Sequence, residues 1–150
     1  MTSGRPLSIL AAIGVAALTS AAWLVAAPGS ADAAQATPCS AAARACVDLS
    51  TQQAWLMRDG VVVYGPVAAR TGRPSAPTAP GTFHVTFKDL HHVSTIYHAA
   101  MPYSVFFHGG DAFHEGSLAV SSHGCVHLSH AAASTFFSTL RVGDEVQVVR

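Results

Sequence analysis

The sequence has few charged residues and no excess of either sign. Its 150 residues include 8 Lys and Arg against 8 Asp and Glu, and charged residues make up only 11% of the chain. Binding to nucleic-acid phosphates needs an excess of basic side chains, so we expect no nucleic-acid partner. At 50% hydrophobic residues the chain is too apolar for intrinsic disorder. The length predicts one domain, and we see neither an internal repeat nor a linker.

Ionisable side chains are nearly absent from the N-terminal region. Arg5 precedes an apolar run over residues 7–27, and small residues follow it. A basic start, an apolar stretch and a small-residue exit are typical of a secretory signal peptide. We predict such a signal over residues 1–33, because Ala31-Asp32-Ala33 fits the small-x-small rule for signal cleavage. Ala34-Gln35-Ala36 is a second candidate cleavage site. An uncleaved anchor is the alternative, since a run of about 21 residues could just span a bilayer.

Cysteine is scarce: the chain has 3, at Cys39, Cys46 and Cys125. Thiols of exported proteins tend to pair. A disulfide between Cys39 and Cys46 is one expectation; the other is that both stay unpaired, with residues 34–44 a flexible segment. A pairing of the first two would leave Cys125 as an odd thiol whose reactivity needs examination.

Residues 45–150 predict a mainly β domain. Short apolar segments separated by turn signals favour a sandwich or barrel over an α/β sheet. Residues 71–81 hold three Pro and two Gly and predict a loop. Ser129 can cap one helix that ends near Leu140. The predicted strands are residues 46–50, 54–57, 61–64 with a continuation over 67–69, 82–87, 92–97, 104–107 and 145–149.

The stretch around Cys125 carries the chemistry. Five of the 9 histidines lie within residues 108–130. Ser122-His123-Gly124-Cys125 places a thiol in a polar, glycine-containing turn. A thiolate is a strong nucleophile that a nearby imidazole can generate. Gly124 lets backbone N–H groups point at one oxygen, as an attacked carbonyl requires. These residues predict acyl transfer through a thioester.

Two other interpretations of the same side chains stay open. Zinc accepts His and Cys ligands. The ligand spacing around Cys125 is unlike that of common zinc sites, which weakens this interpretation. A purely structural cluster is the remaining alternative. The candidate zinc ligands are His108, His114, His123, Cys125 and His127.

Residues 45–150 resemble the L,D-transpeptidase catalytic domain, also called the YkuD domain. Ser122-His123-Gly124-Cys125 matches the family's central motif in full. The segments 47–52, 71–72, 78–83 and 101–103 also look like family segments. The resemblance implies a YkuD-like β-sandwich or open barrel with one short helix after Cys125. It also implies that Cys125 is the catalytic nucleophile. It implies neither a metal nor an organic cofactor.

The base has two candidates. His114 lies in a segment that resembles the family's His-x-Gly form, and we favour it. His108, followed by two glycines, resembles another branch and is the alternative base. If His114 lies in a strand, Phe113 must face the opposite side. His127 stands where the family most often has Arg or Asn, which puts the mode of substrate binding in doubt.

The resemblance implies attack on a peptidoglycan stem peptide, loss of D-Ala and transfer of the thioester to an amine of a second stem. Backbone groups of Ser122, His123 and Gly124 would bind the oxyanion and substrate. Carbapenems are expected to acylate Cys125. Hydrolysis of the same thioester, as an L,D-carboxypeptidase, and a non-catalytic wall- or zinc-binding module are the alternatives. We expect a monomer in the cell wall space, attached to a membrane only through residues 1–33 if these stay uncleaved.

Overall fold

The computed structural model describes Met1 and residues 36–150. Apart from Met1, the predicted signal peptide over residues 1–33 lies outside the described residues. Within the described part of the chain, no helix has the length and apolar character needed to cross a membrane. The predicted domain bounds at residues 33 and 44 remain predictions.

The described residues form nine strands and one helix. They are β1 (Ala45–Asp48), β2 (Gln53–Arg58), β3 (Val61–Ala68), β4 (Gly81–His84), β5 (Phe87–Val93), β6 (Ala100–His108), β7 (Asp111–Glu115), β8 (Val126–Leu128), α1 (His130–Thr139) and β9 (Glu145–Val149). One sheet has five strands in the order β3-β2-β1-β9-β4, and the other has four in the order β5-β6-β7-β8. The predicted mainly β fold with one short helix after Cys125 is confirmed.

One hydrophobic core joins both sheets and α1. Val47 and Leu56 of the five-stranded sheet belong to the same buried cluster as Phe113 of β7 and Phe136 of α1. The Phe113 and Phe136 ring centroids lie 5.0 Å apart. Burying such a side chain contributes roughly 1.5–3 kcal/mol. Since alternate residues of a strand face opposite sides, this packing leaves His114 on the other face of β7.

A smaller cluster covers the opposite face of the five-stranded sheet. Trp55 and Met57 pack there with Cys46, whose neighbours in β1 face the main core. Cys39 forms a disulfide with Cys46, as one of our two expectations had it. The Ser40 backbone N–H also donates to the side-chain oxygen of Gln147 in β9, at 2.8 Å. The segment after residue 36 is thus attached to this sheet.

Several predicted strand bounds need correction. The strand predicted over residues 92–97 is wrong: β5 ends at Val93, and residues 95–97 form a turn. Its β-forming residues are overridden because Ser94 accepts hydrogen bonds from the N–H groups of Tyr97 and His98, at 3.1 and 2.9 Å. β3 continues through Gly65-Pro66, which we expected to break it. Neither β7 nor β8 was predicted as a separate strand.

Candidate active site

Cys125 lies in a turn that leads into β8, and a loop segment holds this turn at both ends. We call residues 122–127 the Cys125 turn. At its far end, His127 exchanges two backbone hydrogen bonds with Arg70, each 2.9 Å long. At its near end, Ser122 makes two more with the same loop segment, residues 70–73, each 3.1 Å long. The position of Cys125 therefore depends on a segment some fifty residues earlier in the chain.

Contacts inside the turn fix its shape. The Ser122 hydroxyl donates to the Cys125 carbonyl at 2.5 Å and accepts the Gly124 N–H at 3.1 Å. Gly124 has φ of +124°, a conformation that side chains disfavour. A Cβ atom at Gly124 would lie 2.2 Å from Oδ1 of Asp111. Only glycine fits this position, for both reasons.

Cys125 opens into a cleft of about 600 Å³ on the outer face of the four-stranded sheet. This volume is within the usual range for small-molecule sites. His114, Ser122 and His123 line the cleft together with Cys125. The Tyr97 ring stacks on His123 with centroids 4.3 Å apart. The turn after β5 thus contacts the Cys125 turn across the cleft.

His114 is buried on the cleft face of β7, with 6% of its surface exposed. Phe113 faces the core, as a strand requires. Nδ1 of His114 lies 2.7 Å from the Glu115 carbonyl oxygen. Because a carbonyl only accepts hydrogen bonds, Nδ1 carries the proton. Nε2 is then the nitrogen that can accept a proton.

Burial determines the charge of both reactive groups. Desolvation raises the pKa of the Cys125 thiol to about 11; the Ala112 N–H lowers it and the Asp111 carboxylate raises it further. Desolvation also lowers the pKa of His114 to about 4, and the nearby His127 and His92 lower it too, against the Glu115 carbonyl. At neutral pH the two groups are therefore a neutral thiol and a neutral imidazole.

These pKa shifts favour a neutral thiol over the thiolate that we predicted a nearby imidazole to generate, and that prediction stays a prediction. The Cys125 Sγ donates to the Gly110 carbonyl oxygen at 3.7 Å, and among the described residues it has no hydrogen bond to a histidine. The physical reason is that partial burial disfavours the charged form of each group.

The structure separates the alternative base from the cleft. His108 lies at the end of β6, with Nδ1 3.2 Å from Oδ2 of Asp111 and its ring centroid 4.5 Å from that of Phe83. It is not among the residues that line the Cys125 cleft. Nor do any three His, Cys, Asp or Glu side chains in the described residues converge as metal ligands. The zinc interpretation therefore lacks a ligand set there.

Sequence reasoning missed Asp111, and it singled out His127 and residues 71–72 without predicting the contacts that they make. Asp111 packs against Gly124, and the segment 70–73 pairs with the Cys125 turn. His127 contacts His114 edge to face, with ring centroids 4.8 Å apart. No local pattern marks these contacts, since each joins segments far apart in sequence. For Gly124 the sequence did predict the type of contact, because a glycine beside a cysteine in a turn suggests close backbone approach.

The Cys125 thiol and the neutral His114 imidazole thus line the same cleft. The sequence matches the family YkuD, the L,D-transpeptidase catalytic domain, over residues 42–148. The chain belongs to this family.

Solved structures support the assignment. An L,D-transpeptidase from Stackebrandtia nassauensis is 32% identical with a TM-score of 0.68, over 71% of this chain and 54% of that one. L,D-transpeptidase 1 from Mycobacterium tuberculosis is 30% identical with a TM-score of 0.63, over 71% and 60%. An L,D-transpeptidase in complex with imipenem is 28% identical with a TM-score of 0.64, over 70% and 57%. The chain thus spans little more than half the length of these structures. No curated protein sequence matches it.

Proposed function

We propose that this protein is an exported, monomeric L,D-transpeptidase that cross-links peptidoglycan stem peptides through a Cys125 thioester. The observation that carries the proposal is the presence of Cys125 and buried His114 in one cleft on a YkuD fold. The protonated Nδ1 of His114 supports a role as base, because it leaves Nε2 to accept the thiol proton.

The reaction begins from the neutral pair. As Sγ of Cys125 attacks the carbonyl before the terminal D-Ala, Nε2 of His114 takes the thiol proton. Backbone N–H groups of His123 and Cys125 stabilise the oxyanion. The Gly124 N–H is a weaker candidate than we expected, because it already donates to the Ser122 hydroxyl.

Collapse of the tetrahedral intermediate breaks the peptide bond. His114 returns the proton to the leaving amine, and D-Ala departs. The side-chain amine of a second stem then attacks the thioester, gives its proton to His114 and frees the Cys125 sulfur. The third residues of two stems become linked, and no step consumes a cofactor.

The proposal is tested by intact-mass measurement with imipenem and by product analysis with a disaccharide-tetrapeptide. We expect one imipenem adduct on the wild type and none on Cys125→Ala, with release of D-Ala and formation of dimers. Tripeptides without dimers would identify an L,D-carboxypeptidase instead. Absence of both adduct and product would leave a non-catalytic wall-binding module. The mass of the secreted protein also reports whether cleavage follows Ala33.

A matched pair of variants tests the base. His114→Gln should slow acylation by roughly 100- to 10,000-fold, the usual contribution of general base catalysis. His108→Gln should stay within a few fold of wild type, because His108 lies outside the cleft. The reverse order would assign the base to His108.

A further inference from the structure

Thr78 is a buried hydroxyl residue in the loop that precedes β4, and it does not line the Cys125 cleft. Only 2% of its surface is exposed. Its hydroxyl donates to the Gly124 carbonyl oxygen at 2.7 Å and accepts the Gly72 N–H at 2.9 Å. Both partners are backbone groups, and one of them belongs to the Cys125 turn. A hydroxyl is required here because it donates and accepts at once.

The contact with Gly124 acts on the peptide group that precedes Cys125. The Gly124 carbonyl and the Cys125 N–H belong to one planar peptide unit, so they cannot rotate independently. In a trans peptide the two bonds point in opposite directions. A hydroxyl that fixes the carbonyl therefore also fixes the direction of the Cys125 N–H.

Among residues 36–150, the Thr78 hydroxyl is the donor to the Gly124 carbonyl, and the other contacts of Gly124 act elsewhere. The Ser122 hydroxyl holds the Gly124 N–H, which belongs to the preceding peptide unit, at 3.1 Å. The Asp111 side chain occupies the space beside Gly124, where a Cβ would lie 2.2 Å from Oδ1. Glycine has no side chain to limit its backbone rotation. Among these three contacts, that of Thr78 is the one made to the carbonyl.

We propose that Thr78 is a positioning residue that aims the Cys125 N–H at the oxyanion. This inference rests on the proposed function, since the N–H matters only when a carbonyl is attacked. Thr78 touches neither the thiol nor the cleft, and it acts through the Gly124 peptide group. Removal of the Thr78 hydroxyl should slow acylation of Cys125, whereas the reactivity of the thiol toward other reagents should not change.

Two reagents separate these effects. Imipenem acylates through a tetrahedral oxyanion, whereas iodoacetamide forms a carbon–sulfur bond by displacing iodide and generates no oxyanion. For Thr78→Val we expect the acylation rate at saturating imipenem to fall by about tenfold or more. The loss should be smaller than the roughly 100- to 1,000-fold that complete removal of an oxyanion donor costs. The alkylation rate at the same pH should stay within about twofold of wild type, because no oxyanion donor takes part. Thr78→Ser, which keeps the hydroxyl, should restore acylation.

Equal acylation rates for Thr78→Val and Thr78→Ser would overturn the proposal. Acylation and alkylation that fall in parallel would also overturn it, since they indicate a displaced thiol. If Thr78→Val shows no cooperative thermal transition, the pair Thr78→Ala and Thr78→Ser provides the same comparison, because these variants also differ by one hydroxyl. A wild type that imipenem does not acylate would instead refute the proposed function.

Discussion

Burial, more than a neighbouring charge, sets the protonation of the two groups that the proposed reaction needs. Desolvation is the largest cause of both shifts, and it moves the pKa of Cys125 and that of His114 apart. Between about pH 4 and 11 the neutral forms prevail. A neutral thiol resists oxidation and stray alkylation, since the thiolate is the reactive form.

The neutral pair predicts different pH profiles for two reactions of Cys125. Alkylation by iodoacetamide needs the thiolate, so its rate should rise by about tenfold per pH unit from pH 7 to 10. Acylation by imipenem uses neutral His114 as base and should change little between pH 6 and 9, above the His114 pKa of about 4. Rates are measured by intact-mass spectrometry. An alkylation rate that levels off below pH 8 would reveal a thiolate–imidazolium pair instead.

The residues that we propose to react could be identified in the sequence because their signals are local. Ser122, Gly124 and Cys125 stand together in one motif, and the order Phe113-His114 in a strand separates core from cleft. Thr78 could not be assigned a role in this way. Its hydrogen bond to Gly124 spans 46 residues, and a threonine in a proline-rich loop is ordinarily a surface residue.

At the scale of elements, the sequence predicted helix and strand bounds well where a side chain interacts with residues close to it in the chain. Ser129 caps α1 as predicted, since its hydroxyl accepts the Ala132 N–H at 3.3 Å. β9 follows its hydrophobic pattern over the predicted residues. β8, by contrast, has three residues, and it pairs with β7 on one side and with Arg70 on the other. Such a strand has too few residues to show a period.

The end of α1 depends on a lysine from another element. Nζ of Lys88 in β5 donates to the carbonyls of Phe137 and Leu140, at 2.5 and 2.6 Å. It also lies 4.5 Å from the centroid of the Phe137 ring. The last carbonyls of a helix have no partners within it, so a cation here is favourable. Lys88 thereby joins β5 to the helix that follows the Cys125 turn.

Lys88→Met should lower the free energy of unfolding by roughly 1.5–3 kcal/mol, the usual contribution of hydrogen bonds to a charged group. Methionine keeps most of the apolar stem, so the loss is assigned to the ammonium. Urea denaturation of the mature domain measures the change. Arg58→Met, at an exposed site at the end of β2, is the control and should stay within about 0.5 kcal/mol of wild type. Equal stabilities of the two variants would refute a capping role.

At the scale of the whole domain, a cleft that keeps both reactive groups neutral limits the pH range of stability. The pKa of His114 falls from 6.5 in an unfolded chain to about 4 in the fold. Between pH 6.5 and about pH 4, His114 is protonated in the unfolded chain but neutral in the fold, so stability falls as the pH drops through this range. The pKa of Cys125 rises from 9.0 to about 11, so the unfolded state loses that proton first above pH 9.

The contribution of the two groups is therefore greatest between pH 6.5 and 9. Each shift corresponds to about 3 kcal/mol, at 1.36 kcal/mol per pKa unit. Other groups titrate as well, so the test is a difference between variants. Relative to its own value at pH 7, His114→Gln should lose less stability at pH 4.5 than wild type does, and Cys125→Ala should lose less at pH 10.5. Chemical denaturation across this range measures both differences. Profiles that run parallel to wild type would mean that the cleft admits water, and the neutral starting state of the proposed reaction would then be wrong.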